Sequence, residues 1–358
     1  MKKTFILVVA LVVALLCFLY WAHLPTDSHS AFTVNDSSGN ISANPSKIRV
    51  ITFNIAYGRG PDDDIIFGPK NKSEIERNLK QIGLFLKNAN ADIVLLQETD
   101  LASKRTYFID EAKFLSEQAG YASYACVTNW IKNYIPFPYW PPSWHFGRMK
   151  SGQCILSKFP ITDNKRTALP QRTDKPFFYT AFYLDRAVQT ADLNINSTPY
   201  RVFNVHQEAF DISNREKQAL ILAGLVNDTT EKNIVVAGDF NALPINASKK
   251  KSFPDDTQWK EWDDVSGDRS LELFIESTPN LREASVPISA EREMFTFPSE
   301  DPNRQLDHIF LSKNLRHIKS RVLNMAAGLS DHLPVYAEFE MPKAYGVGYF
   351  ISTDVAGN

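Results

Sequence analysis

Several acidic side chains of this sequence stand next to apolar runs that would bury them. Glu98 and Asp239 each come shortly after such a run, and Asp331 shortly before one. A carboxylate that leaves water is costly unless it is paired or bound to a cation. Clustered carboxylates with an Asn amide supply the oxygen ligands that Mg²⁺ or Mn²⁺ prefers, whereas the histidines and cysteines show no zinc-type spacing. These residue types predict a site for a hard divalent cation, which would polarise a phosphoryl oxygen.

Two histidines, His206 and His332, stand beside apolar runs of the same kind and have polar neighbours. Cleavage of a phosphoester by water needs a base for the attacking water and a donor to the phosphoryl oxygens, and imidazole can serve as either. Asp307 is suited to accept a hydrogen bond from His332 and so to fix its tautomer. His308, by contrast, opens a predicted strand and is expected to form local hydrogen bonds. The sequence therefore points to phosphoester hydrolysis.

The elements that must position these side chains are short strands interleaved with helices. Three-to-four spacing of apolar residues predicts helices at 74–88 and 214–225. Apolar, β-rich runs predict strands at 48–55, 93–97, 153–157, 177–184, 200–205, 234–238, 308–312 and 335–339. This alternation predicts an α/β sandwich whose sheets are covered outside by helices. Four polar residues follow predicted strands and can therefore meet at one rim of a sheet: Asn54, Glu98, His206 and Asp239.

Seven motifs, in order, resemble those of the endonuclease/exonuclease/phosphatase superfamily. They are ITFNI at 51–55, ADIVLLQE at 91–98, GQCILSKFPI at 152–161, FNVH at 203–206, VVAGDFN at 235–241, QLDHI at 305–309 and SDHLPV at 330–335. One motif alone would be a weak signal, whereas chance agreement of seven in the family's order is very improbable. The resemblance implies an α/β fold, a four-layer sandwich of two facing mixed sheets covered by helices, with the site at one edge of both sheets.

The resemblance also implies a set of metal ligands. By their positions in the motifs, Asn54 and Glu98 resemble residues of the metal shell, with Glu98 as the principal ligand, and Asp331 resembles the second carboxylate on the metal side. The implied cofactor is Mg²⁺ or Mn²⁺.

Five further positions resemble the catalytic residues of the family. Asp239 and Asn241 resemble the pair that orients the nucleophilic water and the phosphate. His332, oriented by Asp307, resembles the general base. His206 falls where several family members place a histidine that hydrogen-bonds the scissile phosphate.

The N-terminus is a separate element. Lys2 and Lys3 precede an uncharged apolar run at 5–22, which is about the minimum length that spans a bilayer as a helix. Residues 1–24 are therefore interpreted as a signal anchor or a signal peptide. The run ends without a small-residue cleavage site, which favours the anchor, and the flanking lysines favour a catalytic domain on the non-cytoplasmic side of the cell membrane. A secreted or periplasmic protein is the open alternative.

The rest of the chain divides by composition. Residues 25–46 are polar and turn-rich and predict a linker, 47–342 form the predicted catalytic domain, and 343–358 form a C-terminal tail. Of three cysteines, Cys17 lies in the apolar run, so Cys126 and Cys154 could form at most a single disulfide in the body.

Composition and one aromatic segment bear on the substrate. The 39 Lys and Arg residues are balanced by 41 Asp and Glu, and a net charge of −2 gives no basic field for nucleic acid. Residues 129–147 carry many aromatics among several prolines, which predicts a loop near the rim of the site. Because Trp and Tyr favour the membrane interface, this loop is predicted to contact lipid, as residues 4–22 would. The alternative is a self-packed Ω-loop.

Three functions follow as hypotheses. The first is a divalent-metal-dependent phosphodiester hydrolase, exported or membrane-anchored, whose phosphoester substrate is a phospholipid or sphingolipid headgroup. The second is a DNase I-like endonuclease acting on nucleic acid, which would need a basic groove. The third is a non-catalytic binding module with the same fold, which would have lost catalytic residues that are present here. No protein partner is evident, and the fold alone does not name the substrate.

Overall fold

The computed structural model describes residues 2–26, 28–35, 45–62, 67–254 and 264–341, so the predicted tail at 343–358 lies outside the described residues. The strands, in chain order, are β1 (Ala31–Asn35), β2 (Lys47–Asn54), β3 (Ile93–Asp100), β4 (Ser123–Ile135), β5 (Gly147–Ser157), β6 (Ile161–Ala168), β7 (Ala187–Ile195), β8 (Thr198–His206), β9 (Ile234–Asp239), β10 (Leu281–Glu283), β11 (Asp307–Ser312), β12 (Arg316–Val322) and β13 (Val335–Glu340). The α-helices are α1 (Lys2–His23), α2 (Lys72–Ala89), α3 (Glu111–Ala119), α4 (Phe177–Thr180), α5 (Ile212–Asn227) and α6 (Ser270–Ser277).

The strands form two mixed sheets. One has seven strands in the order β1-β4-β5-β3-β2-β13-β12, and the other has six in the order β10-β11-β9-β8-β7-β6. The central parallel pairs, β2 with β3 and β8 with β9, lie near the middle of each sheet. Their strands are buried on both faces, which is why they appear in the sequence as nearly continuous apolar runs.

Side-chain alternation along the strands builds the layers. In β2, Ile48 and Val50 belong to the core between the two sheets, whereas Ile51 and Phe53 pack under α2 and α3. A third core lies between the six-stranded sheet and the pair α5 and α6. The order helices, sheet, sheet, helices confirms the predicted four-layer α/β sandwich.

Helix α2 illustrates how local sequence sets an element that supports the site. Asn71 accepts a hydrogen bond from the backbone of Glu74, whose carboxylate accepts one from the backbone of Asn71, so both form a capping box. The apolar side chains of Ile75, Leu79 and neighbouring turns are buried against the sheet. The helix ends at Asn90 in the left-handed conformation.

Part of the predicted linker at 25–46 is a strand. β1 pairs antiparallel with β4 as the edge of the seven-stranded sheet, and Asn35 exchanges hydrogen bonds of 3.0 and 3.1 Å with the backbone of Ile161. The short run at 31–35 has little apolar periodicity of its own, so its partner strand, far along the chain, decides its conformation. Residues 36–44 lie outside the described residues.

Two further predictions of local structure are corrected. The segment 129–147, predicted as a loop, continues β4 up to Ile135, because its prolines begin only at 136 and the ladder reaches the pair Ile135 and Gly147. The segment 177–184, predicted as a strand, contains the single-turn helix α4 instead. Pro176 precedes that turn with a φ of −66°, and a fixed φ near that value suits the start of a helix.

Helix α1 projects from the body with almost all of its side chains exposed, and it is the one described helix long and apolar enough to cross a membrane. The C-terminal part of α1 contacts the C-terminal end of β4. The Asn133 amide donates to the carbonyl of Trp21 at 3.0 Å, the Asn133 backbone donates to Leu24 at 2.9 Å, and the rings of Phe18 and Tyr134 lie 5.5 Å apart. Further down the same strand, Cys126 forms a buried disulfide with Cys154 of β5.

Candidate active site

The candidate site lies where the ends of several strands meet at one edge of both sheets. Asn54 ends β2, His206 ends β8 and Asp239 ends β9, with His206 and Asp239 paired in register. Asp307 opens β11 and stands opposite Asp239 in the antiparallel ladder. Strand topology therefore brings together residues that are up to 253 positions apart, which the sequence prediction anticipated.

Unusual backbone conformations cluster at this edge. Glu98 has a φ of 51° within an irregularity of the β3–β5 ladder, and Asn241 has a φ of 50° just beyond β9. These angles are strained for any residue other than glycine. Such backbone strain is concentrated at functional sites. The bulge in β3 turns Glu98 toward the site, away from the regular alternation of the strand.

The carboxylate of Asp239 is the centre of the cluster. Its Oδ2 accepts a hydrogen bond from the Asn54 amide at 3.1 Å and lies 3.5 Å from Nε2 of His206 and 3.7 Å from Nε2 of His332. Its Oδ1 accepts from the backbone of Asn241 at 2.9 Å. Burial raises the pKa of Asp239 to about 6, because the charged form is poorly solvated.

His332 and Asp307 form a hydrogen-bonded pair beside Asp239. Nδ1 of His332 lies 2.8 Å from Oδ2 of Asp307, and the ring of Phe297 packs against the imidazole at a centroid distance of 4.9 Å. Burial alone would lower the pKa of His332, but the charges of Asp307 and Asp239 outweigh burial and raise the pKa to about 10. With Nδ1 engaged by Asp307, Nε2 of His332 is on the side of Asp239, 3.7 Å from its Oδ2.

His206 has the opposite electrostatic character. Burial lowers its pKa, and the nearby charges of Arg186 and His332 lower it further. The imidazole is therefore neutral at physiological pH. A neutral imidazole has one N–H donor and one acceptor, so it can hydrogen-bond a phosphoryl oxygen or a water.

Asn241 is held at the side of this centre. Its amide donates to the carbonyl of Gln207 at 3.1 Å, and its backbone N–H is the group that binds Asp239. Both contacts fix the residue next to the carboxylate.

One of the predicted metal ligands, Asn54, links the carboxylates of Glu98 and Asp239. The Asn54 amide nitrogen donates to Glu98 at 3.2 Å as well as to Asp239, while its oxygen accepts from the backbone of Ala56. Asp331 forms a 2.7 Å ion pair with Arg59 at the rim. Glu98 has the most accessible carboxylate of this group, with its side chain 37% exposed.

A divalent cation fits this donor set. Buried carboxylates whose charges repel one another are stabilised by a hard cation with oxygen ligands. Asp239, Asp307 and His332 offer atoms within 4.8 Å of one another, but Asp307 and His332 already bind each other. The groups that would hold the cation are therefore Glu98 and Asn54, which contact each other, and Asp331 as the third ligand that the resemblance implies.

Sequence reasoning missed the basic residues next to this centre. A small cavity beside Glu98 and His206 is lined by Arg105, Arg186 and Trp130, among others. Arg186 directly precedes the apolar residues that begin β7. The signal in the sequence was this position of a charged residue next to an apolar run, where its side chain is expected to be buried. No pattern in the sequence says which cavity such a side chain enters.

Comparisons with known proteins agree with this architecture. The sequence matches the Endonuclease/Exonuclease/phosphatase family over residues 51–332, so the chain belongs to that family. No curated protein sequence matches it significantly. Members of the family are generally phosphoester hydrolases, and they typically use a divalent metal ion.

Several solved structures share the fold. An endonuclease/exonuclease/phosphatase from Beutenbergia cavernae DSM 12333 aligns with a TM-score of 0.58 and 16% identity, over 83% of this chain and 72% of that one. A mannosyl-6-phosphatase from Bacteroides thetaiotaomicron VPI-5482 aligns at 0.54 and 16%, over 82% and 100%. The human Nocturnin catalytic domain with bound sulfate aligns at 0.52 and 18%, over 87% and 97%. At these identities the likeness concerns the fold alone.

Proposed function

We propose that this chain is a divalent-metal-dependent phosphodiester hydrolase that is held at a membrane and acts on a lipid headgroup. The observation that carries the hydrolase proposal is the convergence of three nitrogen-bearing side chains on one oxygen of Asp239, with an oriented histidine among them. Such a centre can position a water against a phosphorus atom and stabilise the charge that develops on the phosphoryl oxygens.

The proposed roles of the residues follow from their protonation states. Asp239 and Asn241 orient the nucleophilic water and the phosphate. His332 accepts the proton of the water in its deprotonated form, whose share grows as the pH rises, and Asp307 holds the imidazole in the required tautomer and stabilises the charged form that results. Neutral His206 donates to a phosphoryl oxygen. When Mg²⁺ or Mn²⁺ is bound by Glu98, Asn54 and Asp331, it polarises the phosphoryl group and offsets charge on the leaving oxygen.

The position of α1 supports the membrane part of the proposal. A helix of 22 residues is about 33 Å long, which exceeds the hydrocarbon thickness of about 30 Å. Its C-terminal turn binds Asn133 near the tip of the β4–β5 hairpin. At that tip Tyr139 is 68% and Trp140 79% exposed, as expected for side chains at a membrane–water interface.

The rest of the aromatic segment supports only part of the predicted lipid contact. Phe146 and Ile135 are buried in a small cluster with Met149, against which Trp130 and Phe137 pack. The segment thus combines a self-packed base with an exposed tip. We assign lipid contact to the tip alone.

The disulfide supports export. Cys126 and Cys154 are buried and bonded, and structural disulfides persist chiefly in oxidising compartments. Together with Lys2 and Lys3 at the start of α1, this favours a catalytic domain on the non-cytoplasmic side of the cell membrane.

The test compares lipid and nucleic acid directly. Full-length protein in mixed micelles with Mg²⁺ is assayed on phospholipid and sphingomyelin, on plasmid DNA, and on soluble bis(p-nitrophenyl) phosphate. We expect Mg²⁺-dependent turnover of the soluble diester and of lipid, and little of DNA. Faster cleavage of DNA than of either lipid would replace the lipid proposal with a nuclease, and absence of turnover on every substrate would favour a binding module.

A paired substitution tests the exposed tip. The double variant Tyr139→Ser and Trp140→Ser should lose severalfold activity on lipid and none on the soluble diester, because it removes interfacial contact only. Ile288→Ser, which also removes an exposed apolar side chain (88% exposed), is the control and should behave as wild type on both. Equal activity of the tip variant and the control on lipid would remove the tip from the proposal.

A further inference from the structure

The small cavity beside the catalytic centre has a volume of about 80 Å³ and is open to solvent. Glu98 and His206 form the side next to the catalytic centre, and Arg105, Trp130 and Arg186 form part of the remaining wall. The cavity thus adjoins the place where the scissile phosphate would sit. A substituent of that phosphate would enter it.

Arg186 is an unusual wall residue. The residue is only 3% exposed. Neither Nε nor Nη1 of its guanidinium has a hydrogen-bond acceptor among the described residues, and no described carboxylate forms an ion pair with it. A buried cation without a direct partner is costly. The charges of Glu208, Glu98 and Asp239 lie near enough to favour the charged form of Arg186 without touching it.

Neither Glu208 nor Arg105 forms a hydrogen bond or an ion pair with Arg186 among the described residues. Oε1 of Glu208 accepts from the hydroxyl of Tyr183 at 2.9 Å and from the backbone of Phe210 at 3.1 Å, and its Oε2 has no hydrogen-bond partner there. Arg105, the second guanidinium of the wall, makes two 2.9 Å hydrogen bonds to Asp100, so its charge is compensated within the protein. Arg186 is therefore the wall group whose donors remain for a ligand.

We propose that Arg186 binds a second anionic group of the substrate, a phosphate or carboxylate next to the scissile phosphoester. The guanidinium offers planar, directed donors that suit a phosphate or carboxylate oxygen pair. The cavity has room for a group of a few heavy atoms. This inference rests on the proposed hydrolase function and narrows its substrate to a phosphorylated or carboxylated headgroup.

The same geometry disfavours a choline headgroup in this cavity. A quaternary ammonium group carries no acceptor, so it would leave the buried donors of Arg186 unpaired, whereas an anionic group would bind them. Of the lipid headgroups considered above, an anionic headgroup therefore fits better than that of sphingomyelin.

The experiment compares substrates that differ in the second anion. Full-length protein in mixed micelles with Mg²⁺ is assayed on phosphatidylinositol 4-phosphate and on sphingomyelin at equal mole fraction, and on bis(p-nitrophenyl) phosphate, a diester without a second anion. Wild type should prefer the anionic lipid over sphingomyelin by at least about tenfold in kcat/KM. Arg186→Gln should remove that preference, so that its kcat/KM falls by at least about tenfold more on the anionic lipid than on bis(p-nitrophenyl) phosphate.

Two further variants test whether the effect comes from the guanidinium of Arg186. Arg148→Gln removes the same charge from an exposed position on β5 and should behave as wild type. Arg186→Lys keeps the charge but not the planar donors, so it should recover only part of the preference. If Arg186→Gln does not fold, the lysine variant still reports whether donor geometry matters, and wild-type kinetics on Arg186→Lys would overturn the proposal.

A binding measurement separates this inference from the hydrolase proposal. Inorganic phosphate is titrated into wild type and Arg186→Gln by calorimetry in EDTA, without turnover. At least about tenfold weaker binding by the variant supports the anion site even if no substrate is hydrolysed, in which case only the hydrolase proposal fails. Equal phosphate affinity, an equal loss on all substrates, or a wild type that does not prefer the anionic lipid overturns the assignment of Arg186.

Discussion

At the scale of single residues, the site depends on opposed electrostatic environments for two histidines that flank one carboxylate. His332 is stabilised in its charged form by Asp307 and Asp239, whereas His206 is held neutral by burial and by the charge of Arg186. Different environments thus fit the two roles proposed for the same side-chain type: His332 acts as a base once it is deprotonated, and His206 acts as a neutral donor.

The Asp307→Asn substitution should shift the pH profile. Asp307 raises the pKa of His332, and a general base acts only when deprotonated, so activity of wild type should rise with pH. Loss of the carboxylate lowers that pKa and moves the rising limb to lower pH, while kcat falls by roughly 10²- to 10⁴-fold because the tautomer is no longer fixed. The measurement is kcat/KM against pH for the soluble diester.

The surface substitution Asp301→Asn, at an exposed position, is the matched control for that profile. An unchanged rising limb in Asp307→Asn would mean that His332 is not the group whose deprotonation limits the reaction.

Glu98→Gln should weaken the metal dependence without unfolding the protein. Glu98 is partly exposed and is the predicted principal ligand, so neutralising it should raise the Mg²⁺ concentration for half-maximal activity by more than about tenfold. Glu117→Gln, whose side chain is 66% exposed on α3, serves as control. A magnesium titration coincident with wild type would remove Glu98 from the ligand set.

The residue scale also marks the limit of prediction from sequence. All eight predicted site residues lie at one edge of the sheets, because each follows or precedes a strand whose apolar run is visible in the sequence. Arg186 was not predicted, because what distinguishes it is that its Nε and Nη1 have no hydrogen-bond partner among the described residues. Hydrogen bonding across a cavity depends on residues far apart in the sequence and leaves no local pattern. The roles assigned to the eight residues stay predictions until the variants are measured.

At the scale of elements, strand β9 shows how closely the site is packed. Gly238, directly before Asp239, has a φ of 155°, and a Cβ on it would lie 1.9 Å from the carbonyl oxygen of Val205 in β8. Only glycine permits this approach of the two strands whose ends carry Asp239 and His206.

Gly238→Ala should therefore destabilise the fold. Relief of the overlap requires movement of backbone in both strands, so we expect the free energy of unfolding to fall by about 3 kcal/mol or more. Gly224→Ala in α5 is the control, since a Cβ there meets nothing within 4 Å; it should raise the free energy by ~0.5–1 kcal/mol. Urea denaturation measures both, and a Gly238→Ala midpoint equal to wild type would contradict the packing argument.

Elements differ in how far sequence predicts them. The central strands β2, β3, β8 and β9 were predicted because burial on two faces makes them apolar throughout. β1 was not, since its five residues are ordered by pairing with β4 and their own pattern is weak. The apolar residues of 177–184 suggested a strand, but none of the described strands pairs with them, and a single helical turn forms.

At the scale of the whole molecule, the N-terminal region is joined to the body by more than a linker. β1 completes one sheet edge, His29 lies 3.0 Å from Asp185, and Phe32 packs on Tyr124. The catalytic body therefore begins before Lys47, the boundary that composition suggested.

Two truncated chains test where the body begins. A chain that starts at Ser28 keeps β1 and should unfold as one unit, whereas a chain that starts at Lys47 exposes the edge of β4 and loses several hydrogen bonds. We expect the second to have a free energy of unfolding lower by at least about 2 kcal/mol in urea. Equal stability of the two chains would make β1 an accessory strand.

The proposed anchoring through α1, which contacts Asn133, would have a kinetic consequence. A catalytic domain fixed to its own anchor would meet headgroups in two dimensions, so its rate would depend on their surface density in the bilayer that holds it. Diluting the vesicles would leave the turnover of each enzyme unchanged, whereas diluting the substrate lipid with inert lipid would slow it. The bulk concentration of lipid would then be irrelevant to how fast each molecule works.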